Sequence, residues 1–278
     1  MLETQLNYCA ANLEIIAEVG CNHKGYIETA LEMVRQAHSC GATTVKFQSF
    51  NADKLVNPGD VLEFCRKSQL GYEEHCAIIE ECEAEGIKPL FSVFDTESLE
   101  MMSSLGINEV KIPSGQVFNM RLLYEVAIRG MRVYLSTGMC SMNQVRRAYN
   151  VLIENGLANE DIVIMQCTTC YPAPFEDANL LVIERYRNEF GTRVGYSDHT
   201  PGWASAIGAV ALGASVIEKH FILNPNEETP DACVSLSPIE FMMMVGHLQE
   251  VNRARGTWVK RPRRCEEKMF KRRDFREV

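Results

Sequence analysis

A chain of 278 residues with 46% hydrophobic side chains carries enough apolar material for a sizeable core, in one large domain or two ordinary ones. Its formal charge of −9 argues against nucleic acid or an anionic membrane surface as the main partner, and no apolar run approaches the roughly 20 residues that span a bilayer. The eleven cysteines are scattered and often sit inside apolar runs (Cys21, Cys40, Cys82, Cys167), which suits a reducing cytoplasm; Met1 to Ala11 lacks the apolar core of a signal peptide.

Short β-like runs alternate with helix-like segments throughout. Leu13 to Val19 reads as the first strand, followed by a helix near Ile27 to Ser39, and Thr43 to Phe47 as the second. A long polar insertion, Asn51 to Tyr72, precedes a helix reaching Glu85. Lys88 to Val93 is the third strand, with Thr96 as N-cap of the next helix and Glu97 in its first turn. Glu109 to Pro113, Arg132 to Ser136, Ile162 to Gln166, Arg193 to Ser197 and Ser215 to Phe221 complete the set. A helix-length segment, Pro201 to Gly213, separates the last two strands, and a final helix spans about Pro238 to Ala254. Several helices stop at a glycine that leads into the next strand (Gly41, Gly86, Gly106, Gly130, Gly213), where the left-handed conformation ends a helix. Eight strands alternating with eight helices favour a closed (β/α)8 TIM barrel, an α/β fold, over an open doubly wound sheet. The loop Gly20 to Gly25 has no G-x-G-x-x-G pattern, so a dinucleotide fold gains nothing. The barrel is expected to occupy residues 1–258 as one domain. Residues 259–278, with Lys260-Arg-Pro-Arg-Arg264 and Lys271-Arg-Arg273, read as a basic solvated tail or linker stub.

Each barrel strand delivers its carboxyl end to one face, where active sites form. The polar residues at those ends are Glu18, Lys46 and Gln48, Ser92, Lys111 and Ser114, Ser136, Thr169 and Tyr171, Ser197 to His199, and Glu218 to His220. Loops alone would supply polar residues there, but not lysines embedded in apolar runs such as Thr44-Val-Lys-Phe-Gln48 and Val110-Lys-Ile-Pro-Ser-Gly115. A buried lysine is costly without an anion, so Lys46 and Lys111 point to an anionic ligand. Internal ion pairs to Glu18 or Glu218, and a Schiff-base role, are the alternatives. Ser114-Gly115, Ser136-Thr-Gly138 and Ser197 form a hydroxyl set suited to phosphate oxygens, because glycine lets backbone N–H groups approach an anion. His199 and His220 close two consecutive strand runs, and adjacent strands lie about 5 Å apart. Each alone reads as a satisfied core or loop histidine. As a pair, with the carboxylates of Glu18, Asp198 and Asp231 nearby, they read as ligands for zinc, manganese or iron rather than magnesium or calcium. Cys167-Thr-Thr-Cys170 has redox or zinc spacing, but without a second C-x-x-C it reads as two structural thiols.

Taken in order, Ile16-Ala-Glu-Val-Gly20 with Asn22-His23, Val45-Lys-Phe-Gln48, Lys111-Ile-Pro-Ser-Gly115, Leu135-Ser-Thr-Gly-Met139, Cys167-Thr-Thr-Cys-Tyr-Pro172, Gly195-Tyr-Ser-Asp-His-Thr200 and Glu218-Lys-His-Phe221 resemble the sialic acid synthase (N-acylneuraminate synthase) family. The likeness runs from about Leu13 to Leu248 and carries the same barrel. It implies condensation of phosphoenolpyruvate with an open-chain N-acylated amino sugar, N-acetylmannosamine or a diacetamido-hexose, giving a nine-carbon 2-keto sugar acid and phosphate. It implies a divalent metal, Mn2+ with Mg2+ or Co2+ as alternatives, on His199 and His220, which with Glu18 would form the catalytic set. Lys46, Ser92 and Lys111 would hold the carboxylate of phosphoenolpyruvate, and Ser114, Ser136 and Ser197 its phosphate. Glu18 would orient or activate water and the sugar, while Gln48, Tyr171 and Asp231 would line the acceptor site and Thr169 would face the ligands.

The chain departs from the family pattern in three places. Thr169 stands where the family usually has Asn, and Ala232 where a histidine usually follows the aspartate matching Asp231; both bear on acceptor identity. Family members continue into a small antifreeze-like domain that crosses a domain-swapped homodimer and supplies an arginine to the neighbour's sugar site. No counterpart precedes Val278, and the basic tail reads as the stub of that connection. The rival readings are a related phosphoenolpyruvate aldol-type synthase, a metal-dependent aldolase, or a catalytically silent sugar-binding barrel.

Overall fold

The computed structural model describes residues 13–55, 61–257 and 259–272. Met1 to Ala11, read as lacking a signal-peptide core, and the end of the basic tail from Arg273 lie outside them. Eight parallel strands close into a barrel in chain order. They are β1 (Glu14–Gly20), β2 (Thr44–Ser49), β3 (Lys88–Val93), β4 (Glu109–Ile112), β5 (Arg132–Ser136), β6 (Ile162–Cys167), β7 (Arg193–Asp198) and β8 (Val216–His220). β8 pairs with β1, with Glu14 opposite Val216 and Glu18 opposite His220, so the last strand end meets the first. The expected strand positions agree to within a residue or two.

Successive side chains of a strand face opposite sides, and here the two sides have different jobs. Outward residues such as Ile15, Ala17, Val45, Phe91, Val133, Ile164 and Ile217 pack against the helices in one large apolar layer. Inward residues form three tiers. Ile16, Leu90, Tyr134, Val163, Met165 and Val216 make an apolar plug at mid-height. Below it, the Lys88 ammonium reaches Glu14, Glu109 and the Tyr134 hydroxyl at 2.5, 3.0 and 2.7 Å, and Arg193 reaches Glu14 at 3.2 Å. Above it stand Glu18, Lys46, Ser92, Lys111, Ser136, Ser197, Glu218 and His220, all buried.

The helices are α1 (Ile27–Ser39), α2 (Leu62–Ser68), α3 (Tyr72–Glu85), α4 (Thr96–Ser104), α5 (Met120–Ile128), α6 (Met142–Glu154), α7 (Val182–Phe190), α8 (Ala204–Ala211) and α9 (Pro238–Ala254). α9 starts where proline at the first position and the Ser237–Glu240 capping box place it. Two expectations are corrected. The insertion after β2 is not merely polar: it carries a 3-10 turn, Ala52–Lys54, and α2, making nine α-helices among the described residues. Its Leu55, Leu62, Phe64 and Cys65 close over Cys21, Phe50 and Ala52, an apolar pattern too short and interrupted to stand out from the polar background. The N-cap of α4 is Asp95, whose carboxylate accepts from Ser98 N–H at 2.7 Å; Thr96 is the first helical residue. The helix-ending glycines Gly41, Gly86, Gly106, Gly130 and Gly213 do have positive φ. The tail carries a further 3-10 stretch, Arg264–Arg272, and its residues 259–269 are exposed, as a solvated run should be. No helix among the described residues is long and apolar enough to cross a membrane.

Candidate active site

Parallel topology brings the expected strand-end residues to one mouth except Asp198 and Lys219, which pair with each other on the opposite faces of their strands; the centre of the mouth is electrostatic. Glu218 accepts from Lys111 at 2.6 Å and from the Ser197 hydroxyl at 2.8 Å, and lies 2.9 Å from the Lys46 ammonium. Lys46 also lies 3.3 Å from Glu18, whose other carboxylate oxygen accepts from Gln48 at 3.1 Å. Both lysines are therefore ion-paired, one of the alternatives open in the sequence. Burial opposes ionisation of Glu218, but the Lys111 and Lys46 ammonium groups hold it well below the usual carboxylate range. Glu18 has weaker partners, and burial pushes its carboxyl up to about 7 against the pull of Lys46. Two carboxylates about one pocket thus hold protons very differently, which gives one an acid–base capacity near neutrality and leaves the other a fixed charge. Register puts Ser92 opposite both Gln48 and Lys111, completing this half of the mouth.

The hydroxyl half is partly satisfied. Ser114 accepts from the Gly138 N–H at 3.0 Å, whereas Ser136 Oγ is buried with no hydrogen-bond partner. Gly138 lies so close to its neighbours that an added Cβ would meet Thr169 Oγ1 at 2.1 Å and Ser114 Oγ at 2.8 Å. Glycine is required here by space, and Thr169 is held against the same wall as Ser114. Of the expected set, Ser114, Ser136 and Thr169 gather on this side, while Ser197 turns to Glu218.

On the other side the His199 and His220 rings lie 5.4 Å apart, with Tyr171 stacked on His199 at 4.2 Å and edge-on to His220 at 5.9 Å. Asp231 Oδ2 is 3.7 Å from His220 Nδ1, a buried nitrogen without a hydrogen-bond partner. His199 Nδ1 is 2.8 Å from the Thr168 carbonyl, which can only accept, so Nδ1 carries the proton and in the neutral imidazole the other ring nitrogen offers its lone pair. Burial drives His220 well below the usual imidazole range, keeping it neutral. A partnerless buried nitrogen, a second imidazole with its tautomer fixed and a facing carboxylate form a donor set that fits a divalent ion. No group of three or more His, Cys, Asp and Glu converges on one metal position among the described residues, so protein would supply two imidazoles and little else.

Three residues carry more than their sequence reading allowed. Cys167, expected as a structural thiol, is buried 3.8 Å from His199 Nδ1; burial raises its pKa, but His199, Lys111 and Ser114 bring the thiol below its ordinary range. Cys170 is exposed and free. Asn22 donates to the Phe221 carbonyl at 2.9 Å and to Ser235 at 3.0 Å, and accepts from Thr229 at 2.6 Å, so it pins the loop that presents Asp231. Its place in the Asn22-His23 motif was the available signal. Gly20 (φ 56°) would place a Cβ 2.9 Å from Asp231 Oδ2 and 3.4 Å from Glu18 Oε1, so its bare backbone leaves room between these two carboxylates.

The fold and site define a (β/α)8 barrel whose mouth joins a buried cationic, hydroxyl-bearing half to a histidine–carboxylate half. The chain belongs to the NeuB family, whose model matches residues 33–260. It is similar to the N,N'-diacetyllegionaminic acid synthase of Campylobacter jejuni (36% identical over 269 residues, 91% of this chain and 80% of that protein) and to the synthase of the same name in Legionella pneumophila (35% over 266 residues, 89% and 74%). The crystal structure of the N-acetylneuraminic acid synthetase of Leptospira borgpetersenii superposes with a TM-score of 0.89 at 27% identity, covering 94% of this chain and 91% of that one. Its relatives include sialic and pseudaminic acid synthases, and the chain is an enzyme of that synthase type.

Proposed function

We propose that the enzyme condenses phosphoenolpyruvate with an open-chain N-acylated amino sugar, forming a nine-carbon sialic-acid-like 2-keto acid and releasing phosphate. The observation that carries this reading is a buried Lys46–Lys111 pair in one mouth with Ser136, whose buried hydroxyl lacks a partner. An anion bearing both carboxylate and phosphate uses both features. Lys46, Ser92 and Lys111 take the carboxylate; Ser114 and Ser136 take the phosphate, while Ser197 donates to Glu218. C3 of the enolpyruvate bonds to the aldehyde carbon, and water adds at C2. The C2–O bond to phosphate then breaks, phosphate leaves with the bonding electrons, and C2 becomes the ketone. Water gives up two protons: one reaches the aldehyde oxygen and the other leaves with the phosphate. Glu18 carries the first, a role supported by its carboxyl titrating at about 7. Mn2+ on His199 and His220, with Mg2+ or Co2+ as alternatives, would supply a Lewis acid for the aldehyde oxygen. Gln48, Thr169, Tyr171 and Asp231 face the sugar.

A diacetamido-hexose acceptor is favoured over N-acetylmannosamine by the two relatives named for diacetyllegionaminic acid. The same reading makes the enzyme a cytoplasmic homodimer, with free thiols suited to a reducing compartment. The test is phosphate release with phosphoenolpyruvate, Mn2+ and a panel of both acceptor types, with products identified by mass spectrometry. Release should require all three components. Folded protein that yields no phosphate with any acceptor overturns the reading.

A further inference from the structure

His199 and His220 face the mouth, so the residues on the opposite faces of their strand ends face the helices. Those residues are Asp198 and Lys219, and they are register partners on β7 and β8. Both side chains are completely buried, with the ammonium 3.3 Å from Asp198 Oδ2. With no exposed surface on either side chain, this is not a surface ion pair of negligible worth. Besides the Tyr196 hydroxyl on Asp198, the pair's bonds close on the turn that carries His199. Asp198 Oδ1 accepts from the Thr200 N–H and the Thr200 hydroxyl, each at 2.8 Å, which pins the residues on either side of His199. Lys219, the residue before His220, donates to the Thr200 carbonyl at 2.5 Å. One ammonium thus ties the backbone after His199 to the backbone before His220.

We propose that the Asp198–Lys219 pair is a positioning clamp that sets the separation of His199 and His220 and so tunes their grip on a divalent cation. A buried pair is weak evidence for stability, because an apolar pair of similar volume can replace it at little cost. What an apolar pair cannot supply is the bond from β8 to the Thr200 carbonyl, nor two acceptor bonds from one carboxylate oxygen. Partners behind metal-binding histidines commonly change affinity by about 10–100-fold when removed. The neighbouring Tyr196 hydroxyl bonds Asp198 and Ser205, which ties β7 to α8 and not to β8.

The inference rests on the two-histidine reading of the metal site, and Mn2+ binding separates the two. Mn2+ titration by EPR and calorimetry is made on the full chain, on the charge-neutral double variant Asp198→Asn/Lys219→Met, and on Lys88→Met at the barrel floor as a destabilised control. The double variant should bind Mn2+ at least tenfold more weakly, with an altered EPR line shape, while inorganic phosphate affinity stays within about threefold. Lys88→Met should leave Mn2+ binding unchanged. Wild-type protein that binds no Mn2+ overturns the metal reading and the clamp with it. Wild-type binding matched within twofold by the folded double variant overturns the clamp alone. If the double variant does not fold, Asp198→Asn decides: it keeps the oxygen that accepts from Thr200 and turns an amide NH2 toward Lys219 in place of Oδ2, and should weaken Mn2+ at least fivefold. Wild-type affinity in that variant refutes the clamp.

Discussion

Glu218 offers the sharpest perturbation, because one carboxylate serves Lys111, Lys46 and Ser197 together. Glu218→Gln keeps the volume but leaves two buried ammonium groups facing Glu18 alone, 3.3 Å from Lys46. Removing one partner of a buried pair costs about 3–5 kcal/mol. Here the loss has a ceiling, because burial has already brought Lys111 down to about 8, so it sheds its proton cheaply near neutral pH. A net loss of about 2–4 kcal/mol follows, or a fall in Tm of roughly 5–15 °C for a chain of this size. An anion in the mouth replaces the missing charge, so saturating phosphoenolpyruvate should raise the Tm of Glu218→Gln more than that of the wild type. Differential scanning fluorimetry with and without the ligand measures both. A variant Tm within about 2 °C of wild type, with an equal ligand shift, would refute the claim that Glu218 balances the lysines.

Three further outcomes follow from the same geometry. Glu18, with a folded pKa of about 7 against an ordinary 4.5, favours the protonated form in the native state; its contribution is complete below the ordinary value and lost as pH rises through 7. Metal-free wild type minus Glu18→Gln should therefore fall by about 2 kcal/mol between about pH 5.5 and about pH 8 in denaturant titrations, the buried histidines cancelling in the difference; a flat difference refutes the raised pKa. Gly138→Ala drives a Cβ into Thr169 and Ser114, and should weaken inorganic phosphate at least tenfold by calorimetry; wild-type affinity would remove this wall from the anion site. Tyr134→Phe at the floor removes a hydroxyl that donates to Glu14 and Glu109 and accepts from Lys88, and should lower stability by about 1–3 kcal/mol while leaving phosphate affinity within twofold; coupled loss of affinity would contradict the separation of floor and mouth.

The barrel was legible because each level of the sequence repeats one message: short branched runs and helix-length spacers recur eight times, five of the junctions carry a glycine stop, and closure is the economical way to bury that many parallel strands. The strand-end lysines and histidines were legible as odd residues in apolar runs. What pairs with what was not. Glu218 stood in the sequence beside His220 as one candidate partner among several, and only barrel closure brings it to Lys111, 107 positions away. Cys167 was read by its spacing to Cys170, yet the decisive neighbour is His199, on the next strand. The α2 insertion was hidden because its few apolar residues make sense only against Cys21 and Phe50, from elsewhere in the chain.

The two ends of the barrel interior show what separates structural charge from working charge. Both hold lysines, glutamates and a hydroxyl inside a ring of strands. At the floor most bonds close: Lys88 reaches three oxygens, the Tyr134 hydroxyl serves two carboxylates, and Arg193 takes the other oxygen of Glu14, with Arg132 Nε the one buried atom there left without a hydrogen bond among the described residues. At the mouth they do not: Glu18 Oε2, Ser136 Oγ and His220 Nδ1 are buried and make no hydrogen bond. A buried polar atom left unmade costs about 1–3 kcal/mol, and folding alone gives no reason to keep three in one pocket. The same residue types thus carry opposite meanings according to whether their valences are filled. Composition cannot reveal that difference, but geometry can, and it marks the mouth as the end built to receive something.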